Sequence, residues 1–497
     1  MRLVLFRVAA MLLIAGCGTT STIRTKEPQP NTPGLTALST SPFPGLKGKI
    51  DAALADSLFP PANVGIKVVS LLSGATLYAL NPDMLFMPAS NEKLFTSATA
   101  LVELGKEFSF RTKVSVDRNE SRIFTKGSGD PLLTTEDLDS LARVIKGSLP
   151  AESSWTVTGD ISYFDDLPWG EGWMWDDEGE DYNMAISPLS VNSNAITVKV
   201  RPGKLEDAPV RVQTEPSTSY VSVENTATTP VDTPVVPLKV SRKWRERSNT
   251  ITVAGQLLHR DSASEHTLSI WQPEHYALTL LSERLQSYGL KVKGIDIDTV
   301  PATAVPLAEF SRSLDSVITF MNKTSDNLSA ENVLKTLSAE RNGRPGTARS
   351  GASLVKRYLN TIGVDTAKLV MVDGSGLSRY NLTSANIVTQ LLVAMSKRSD
   401  VFPTFLNSLP VAGTDGTLSK RMQRTSAGGT LRGKTGTLSG GSSLSGYVQT
   451  ADGEMLAFSI LMNNFPSGAR RYRIVQDSIG VILSQISRKS LENSSLQ

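Results

Sequence analysis

From about Arg111 to about Pro306 the sequence consists mostly of short strand-like segments and turns, whereas the stretches on either side carry helical spacing. The inner region reads "RTKVSVD", "WTVTGDISYF", "NAITVKVRPG", "PVRVQTE" and "NTITVAGQLL", interrupted by helix-like "TTEDLDSLARVIKG" and "HYALTLLSERLQSYG". Before it, "KLFTSATALVELG" spaces Leu94, Phe95, Ala98, Leu101 and Val102 along a helix that stops at Gly105. After it, helical spacing returns in "LDSVITFMNKTSDNLSAENVLKTLSAE", "ARSGASLVKRYLNTIG" and "SANIVTQLLVAMSK". Two strands around the Ala451–Glu454 turn follow, then a last helix-like stretch, "ARRYRIVQDSIGVILSQIS". This pattern predicts an α/β domain built from the two ends of the chain and split by a long β-rich insertion. A length of 497 residues is too much for one ordinary core and gives a prior of two or three domains. The expected division is 43–111 with 307–497 for the outer domain and 112–201 with 272–306 for the inserted one. The Thr-, Val- and Pro-rich residues 202–271 are expected to form a small domain nested within the insertion.

The N-terminus predicts export. "MRLVLFRVAAMLLIAGCGTTST" places Arg2 and Arg7 before an apolar run from Val8 to Ile14, too short to span a bilayer and fitting a signal segment over 1–16. Ile14-Ala15-Gly16-Cys17 resembles the lipobox of bacterial lipoproteins, in which the chain is cut before the cysteine and the thiol is lipidated. Cys17 is the only cysteine, so no intramolecular disulfide can form, and the single thiol stands where a lipid would attach. Residues 17–42, rich in Thr, Ser and Pro, are expected to be a disordered tether. The expected location is the bacterial cell envelope, with contact to a membrane only through a lipid on Cys17.

With 40% hydrophobic and 20% charged residues and a formal charge of +3, the chain has the composition of a soluble globular protein and no excess of basic residues for nucleic acid. The three histidines (His259, His266, His275) all fall in the insertion without metal-ligand spacing, which argues against a Ser-His-Asp triad or a zinc site. No metal or organic cofactor is expected.

Ser90 and Lys93 stand three apart at the start of the first long helix, on one helix face and about 5–6 Å apart at Cβ. A serine hydroxyl is a weak nucleophile until a base lies within hydrogen-bond reach. Lysine serves as that base when desolvation or a nearby cation removes its proton. The pair alone is weak, because Ser90 also suits a helix N-cap and Lys93 a solvated helix charge. Two further signals follow in order: Ser325-Asp326-Asn327, and Lys434-Thr435-Gly436 with Thr437 behind it. Ser-x-x-Lys, Ser-x-Asn and Lys-Thr-Gly together are the signature of penicillin-binding proteins and class A β-lactamases.

The sequence most closely resembles the class C low-molecular-mass penicillin-binding proteins, serine D-alanyl-D-alanine carboxypeptidases and endopeptidases. The likeness extends through "PASNEKLFTSATAL", "GSGDPLLT", "ISPLSVNSNAITV", "SDNLSAENVLKTL", "DGSGLSRYNLTS", "LPVAGTDGTL" and "LRGKTGTLSGGSSLSGYV", from about Asn63 to Asn464. It implies an α/β (α+β) fold of the serine β-lactamase/transpeptidase type, an antiparallel sheet flanked by helices, with two further domains nested between Lys93 and Ser325. A β-lactamase has no room for so large an insert.

The resemblance also implies roles. Ser90 attacks the carbonyl of the penultimate D-Ala of a peptidoglycan stem peptide, and β-lactams inhibit by acylating it. Lys93 is the base, Ser325 relays a proton to the leaving nitrogen, and Asn327 bonds the substrate backbone. Lys434 suits the terminal carboxylate and keeps Lys93 neutral, while Thr435 and Thr437 offer hydroxyls to that carboxylate. The N–H groups of Ser90 and Thr437 form an oxyanion hole, and Gly433 and Gly436 allow close approach of their strand. An acidic residue of the insertion faces a substrate side-chain amine; in "YFDDLPWGEGWMWDDEGEDY" the candidates are Asp165 and Asp166, with Asp166 taken here.

Two duplicate matches are set aside. Ser190-Val191-Asn192 lies within the insertion, and Ser353 to Lys356 comes after Ser325, out of order and within a helix. A β-lactamase or esterase of the same fold, and a binding module without turnover, are the competing readings.

Overall fold

The computed structural model describes residues 43, 45–55, 62–232, 236–466 and 468–488. The expected signal segment, the tether and Cys17 lie outside the described residues. After helix α1 (Leu46–Leu54) the chain forms β1 (Asn63–Ser70), β2 (Thr76–Leu80) and α2 (Glu92–Glu103). Next come β3 (Ser109–Asp117), β4 (Arg122–Gly127), α3 (Thr135–Ser148), β5 (Ser154–Asp160), β6 (Ala195–Arg201) and β7 (Arg211–Glu215). They are followed by β8 (Ser222–Asn225), β9 (Lys239–Arg242), β10 (Thr250–Ala254), β11 (Ser264–Ser269), α4 (Pro273–Ser287), β12 (Lys291–Ile297) and β13 (Val305–Ser313). Helices α5 (Leu314–Thr324), α6 (Asn327–Arg341), α7 (Ala348–Thr361), α8 (Ala385–Ser396) and α9 (Phe402–Ser408) precede β14 (Leu431–Leu438), β15 (Gly441–Gln449), β16 (Met455–Asn463) and α10 (Arg470–Gln485).

The two ends of the chain share one antiparallel sheet in the order β14-β15-β16-β1-β2. Strands β15 and β16 are buried along nearly their whole length, which is why "EMLAFSILMN" reads as a continuous apolar run rather than an alternation. One side of the sheet packs Tyr447 and Ala457 into a core with α2, α5, α6, α7 and α8. The other packs Ile66, Val68, Phe458 and Ile460 against α1 and α10. This is the antiparallel sheet flanked by helices that the family resemblance implies.

The insertion leaves and rejoins that layer on adjacent strands: β3 pairs with β13 from Ser109↔Ser313 to Val116↔Val305. They edge a second five-stranded sheet, β12-β5-β4-β3-β13, and two three-stranded sheets, β11-β6-β7 and β8-β10-β9, lie beyond it. One continuous core joins Val114 and Trp155 of the larger sheet to Val198 of β6 and Ile251 of β10.

Two local features position the site. Every residue of α2 from Glu92 to Leu101 is buried, so this helix runs through the core instead of lying on it. Its polar residues are accommodated by partners, Thr96 Oγ1 donating to the Gly374 carbonyl at 2.8 Å and Ser97 Oγ to that of Lys93 at 2.6 Å. The periodic run around "KTSDNLSAEN" is broken at Ser325, which takes a left-handed conformation (φ 66°) and ends α5. Asp326 then caps α6 by accepting from the Ser329 N–H at 2.6 Å.

Candidate active site

Ser90 lies in a 3-10 turn, Ala89–Asn91, that leads into α2, and its side chain does not cap that helix, so the competing N-cap reading fails. The adjoining Asn91 locks this turn against β14 and β15. Its Nδ2 donates to the Lys434 carbonyl at 3.0 Å and to Ser443 Oγ at 2.7 Å, and Ser443 Oγ donates to the Pro88 carbonyl at 2.7 Å. Gly436 stands directly behind. A Cβ there would lie 2.2 Å from Ser443 Oγ and 2.9 Å from both Ser90 N and the Pro88 carbonyl oxygen, so only glycine lets this strand come so near.

Lys93 Nζ donates to Ser90 Oγ at 3.1 Å, to Asn327 Oδ1 at 2.6 Å and to the Ser375 carbonyl at 2.8 Å. Lys434 Nζ donates to Ser325 Oγ at 2.8 Å and to the Thr435 carbonyl at 3.0 Å. Thr435 Oγ1 bonds Thr417 Oγ1 at 2.8 Å, and Thr437 is exposed at the mouth. The structure thus brings Ser90, Lys93, Ser325, Asn327 and Lys434 together from a turn, three helix ends and an edge strand. A cleft of about 700 Å³ opens over them, its walls including Asp176, Asp177, Tyr182, Arg379 and Arg473.

Both lysines are fully buried, and burial is the chief cause that lowers their pKa values. Lys93 comes down to about 8, although Asp326, Asp373, Glu331 and Glu92 pull it upward. Lys434 is pushed well below its ordinary value, by burial first and then by the charge of Lys93. Desolvation, more than repulsion from Lys434, is therefore what makes the Lys93 ammonium give up its proton more readily than an ordinary lysine.

No local pattern in the sequence marks the carboxylates behind Lys93. Glu331 accepts from the N–H groups of Gly374 and Ser375, and Asp373 from those of Gly376 and Ser378. Glu92 is fully buried with no hydrogen-bond partner on either oxygen among the described residues, and burial, then Asp373 and Glu331, push its pKa well above the usual range.

Asp166 is exposed and is not among the residues lining the cleft; the insertion's carboxylates there are Asp176 and Asp177. Asp165 instead pairs with the buried Lys335 at 2.5 Å. The loop carrying these acids is irregular, so no periodicity in the sequence tells which of them turns inward. The duplicates are occupied elsewhere: Ser190 Oγ donates to the Ser187 carbonyl, and Ser353 is exposed on α7 with its hydroxyl on the Arg349 carbonyl. None of the three histidines lines the cleft.

A sequence profile of the D-Ala-D-Ala carboxypeptidase 3 (S13) family matches residues 46–486. The chain is 36% identical over 484 residues to the D-alanyl-D-alanine carboxypeptidase of Actinomadura sp. (strain R39), covering 91% of this chain and 87% of that one. It is 25% identical over 438 residues to the D-alanyl-D-alanine carboxypeptidase DacB of Haemophilus influenzae, covering 84% and 88%. Among solved structures, penicillin binding protein 4 (dacB) from Haemophilus influenzae shares the fold with a TM-score of 0.74 at 22% identity, over 90% of this chain and 99% of that one. With a serine and a buried lysine in hydrogen-bond contact at the foot of the cleft, the chain belongs to the D-Ala-D-Ala carboxypeptidase 3 (S13) family of serine peptidases.

Proposed function

We propose that this chain removes the terminal D-Ala of peptidoglycan stem peptides through an acyl-enzyme on Ser90, and that β-lactams acylate the same oxygen. The observation that carries this reading is the 3.1 Å contact of Ser90 Oγ with a lysine that is fully buried. At pH 7 a lysine of pKa about 8 is free amine in roughly one molecule in ten, against about one in three thousand at the ordinary value.

In the first half-reaction Lys93 Nζ takes the Ser90 proton as Oγ bonds to the carbonyl carbon of the penultimate D-Ala. The N–H groups of Ser90 and Thr437 receive the oxyanion, each such donor commonly worth about 10²–10³ in rate. Collapse breaks the C–N bond. The proton taken from Ser90 reaches the leaving nitrogen through the Ser325 hydroxyl, which is already held by Lys434. Water then attacks the ester, Lys93 takes its proton, and Ser90 Oγ leaves with one, so that peptide and water become shortened peptide and free D-Ala. Strand β14 is an edge of its sheet, so the substrate backbone can pair with it while Asn327 faces it across the cleft. Lys434, Thr435 and Thr437 take the terminal carboxylate. Asp176 and Asp177, in place of Asp166, are suited to a cationic amine on the substrate side chain. The same site would cleave cross-linked peptides by an endopeptidase reaction, in which the leaving amine belongs to a second stem peptide.

The reading extends to location: export by residues 1–16, a lipid on Cys17 and a tether over 17–42 would hold the enzyme on the periplasmic side of a membrane. Its support is the lipobox-like Ile14–Cys17 with no other cysteine in the chain. Among the described residues no helix is long and apolar enough to cross a membrane. Mass spectrometry of the N-terminal peptide should find a diacylglyceryl group on Cys17, absent in Cys17→Ala; an unmodified thiol refutes the anchor.

The test of activity is release of D-Ala from a stem pentapeptide, expected from the wild type and abolished in Ser90→Ala. Absence of release from a folded, penicillin-labelled wild type would leave a binding module, and rapid loss of the penicilloyl adduct would favour a β-lactamase.

A further inference from the structure

The segment from Trp173 to Tyr182 comes from the insertion, yet one end bonds Asn327, an acceptor of Lys93, and the other bonds Asp373 on the turn that carries the second acceptor, the Ser375 carbonyl. At one end the Trp173 indole N–H donates to Asp373 Oδ2 at 2.9 Å. Asp373 is fully buried, and its carboxylate also accepts from Gly376 N at 2.8 Å, Ser378 N at 2.7 Å and Asn381 Nδ2 at 2.7 Å. It therefore shapes the turn that carries Ser375, whose carbonyl takes a hydrogen bond from Lys93 at 2.8 Å. At the other end the Tyr182 carbonyl accepts from Asn327 Nδ2 at 2.7 Å, and Oδ1 of the same amide accepts from Lys93 at 2.6 Å. Tying Nδ2 to a carbonyl sets the amide's orientation and turns Oδ1 to the lysine. Between these ends Met174, Asp176 and Asp177 line the cleft, and the Tyr182 hydroxyl donates to Asp177 at 2.8 Å.

We propose that residues 173–182 form a brace in which Trp173 is a positioning residue. Through Asp373 and the Ser375 carbonyl it holds Lys93 dry and aligned with Ser90, and a substrate amine seated on Asp176 or Asp177 tightens that hold. The inference rests on Lys93 being the base for Ser90. Recognition of the substrate side chain and readiness of the base then share one mechanical element, so the side chain is read in kcat as well as in KM.

The consequence has a sign. Lys93 is faced by Glu92 on its own helix, by Asp326 and Glu331 at α6, by Asp373 on the turn and by Lys434 on β14. The carboxylates raise its pKa and burial lowers it, with burial the larger cause. Removing the indole N–H leaves Asp373 short of one of its four donors, and a buried carboxylate in that state draws in water. Water beside Lys93 relieves its desolvation, moves its pKa up toward the ordinary lysine value, and shrinks the fraction present as amine.

The test uses the full chain in three forms: wild type, Trp173→Phe and Gly172→Ala. The phenylalanine keeps an aromatic ring and removes the donor together with part of the indole's packing, a loss the melts register. The alanine presses the brace off its seat from the neighbouring residue, since Gly172 has φ +77° and a Cβ there would lie 2.6 Å from Ser378 Oγ and from the Tyr380 ring. Acylation by benzylpenicillin is followed from pH 6 to 10, with thermal melts to establish folding. Both variants are expected to acylate roughly 10- to 100-fold more slowly at pH 7, the range for losing one hydrogen bond to a buried charge. Their acid limbs are expected to move up by about 0.5 pH unit or more. The kcat advantage of a wall peptide with a free side-chain amine over its acetylated form should shrink in both. Folded variants whose acid limbs stay put overturn the brace whether or not the rate falls, because a merely structural role leaves the limb alone. A shifted limb with the peptide preference intact overturns the link to substrate. A wild type that is not acylated at Ser90 overturns instead the assignment on which the inference rests.

Discussion

Adding one methyl group at Gly436 measures how closely β14 must approach the nucleophile. A Cβ built there lies 2.2 Å from Ser443 Oγ and 2.9 Å from Ser90 N and the Pro88 carbonyl oxygen, against an optimal separation of about 3.5 Å or more. The serine hydroxyl cannot simply turn aside, because it donates to the Pro88 carbonyl and accepts from Asn91 Nδ2, both at 2.7 Å. The strand must therefore retreat from the Ala89–Asn91 turn by about 1 Å, taking Lys434, Thr435 and the Thr437 N–H with it. A misplacement of that size costs about 10² in rate, and misaiming an oxyanion donor about 10²–10³. Gly436→Ala is thus expected to lower the second-order rate of acylation by benzylpenicillin 10²- to 10³-fold, with overpacking costing about 1–3 kcal/mol in a thermal melt. Adding Ser443→Gly removes the 2.2 Å clash and leaves both 2.9 Å contacts, so the double variant should keep a defect of at least about 10-fold. A single alanine variant that acylates within about threefold of wild type would refute the close approach on which the oxyanion hole depends.

Other consequences are as direct. With Lys93 at about 8 and active only as the amine, the wild-type acylation rate should rise about tenfold per pH unit below that value and level off above it; a flat profile between pH 6 and 9 would exclude Lys93 as the titrating base. Glu92, buried without a hydrogen-bond partner among the described residues and with its pKa pushed well above the usual range, should tolerate Glu92→Gln with penicillin acylation within about threefold of wild type, whereas a loss beyond about 30-fold would mean that it works ionised. Asp177→Asn should lower kcat/KM for a peptide with a free side-chain amine by about 10- to 100-fold while sparing benzylpenicillin, which lacks the amine; equal losses on both would remove Asp177 from side-chain recognition.

Much of this site was legible because its members occur in short words whose spacing carries geometry. Ser90 and Lys93 share a helix face at i and i+3, and the Gly-flanked Lys434-Thr435-Gly436 reads as a strand meant for close approach. The two strands around the Ala451–Glu454 turn, β15 and the buried β16, are equally plain from residue pattern. What the sequence hid depends on contacts between distant segments. Asn91 looks like any helix-start residue until Lys434 and Ser443 are folded against it. Glu331 and Asp373 sit among ordinary helix and turn residues, and nothing local marks them as fully buried behind Lys93. The acidic loop shows the limit most clearly. Asp165, Asp166, Asp176 and Asp177 are chemically alike, and only the fold turns the last two into the cleft while Asp165 meets Lys335. The left-handed break at Ser325 likewise falls inside a continuous helical periodicity, where only the Asp326 cap hints at a new start.

The central assignment is that Ser90 becomes acylated, and mapping the adduct tests it without intermediaries. The full chain is incubated with a fluorescent penicillin, digested, and the labelled peptide sequenced by mass spectrometry, with Ser90→Ala alongside. A long-lived label on Ser90 that is absent from the folded alanine variant is the predicted result. A label on another residue, or none on folded wild type, would contradict the assignment of Ser90 and the mechanism built on it.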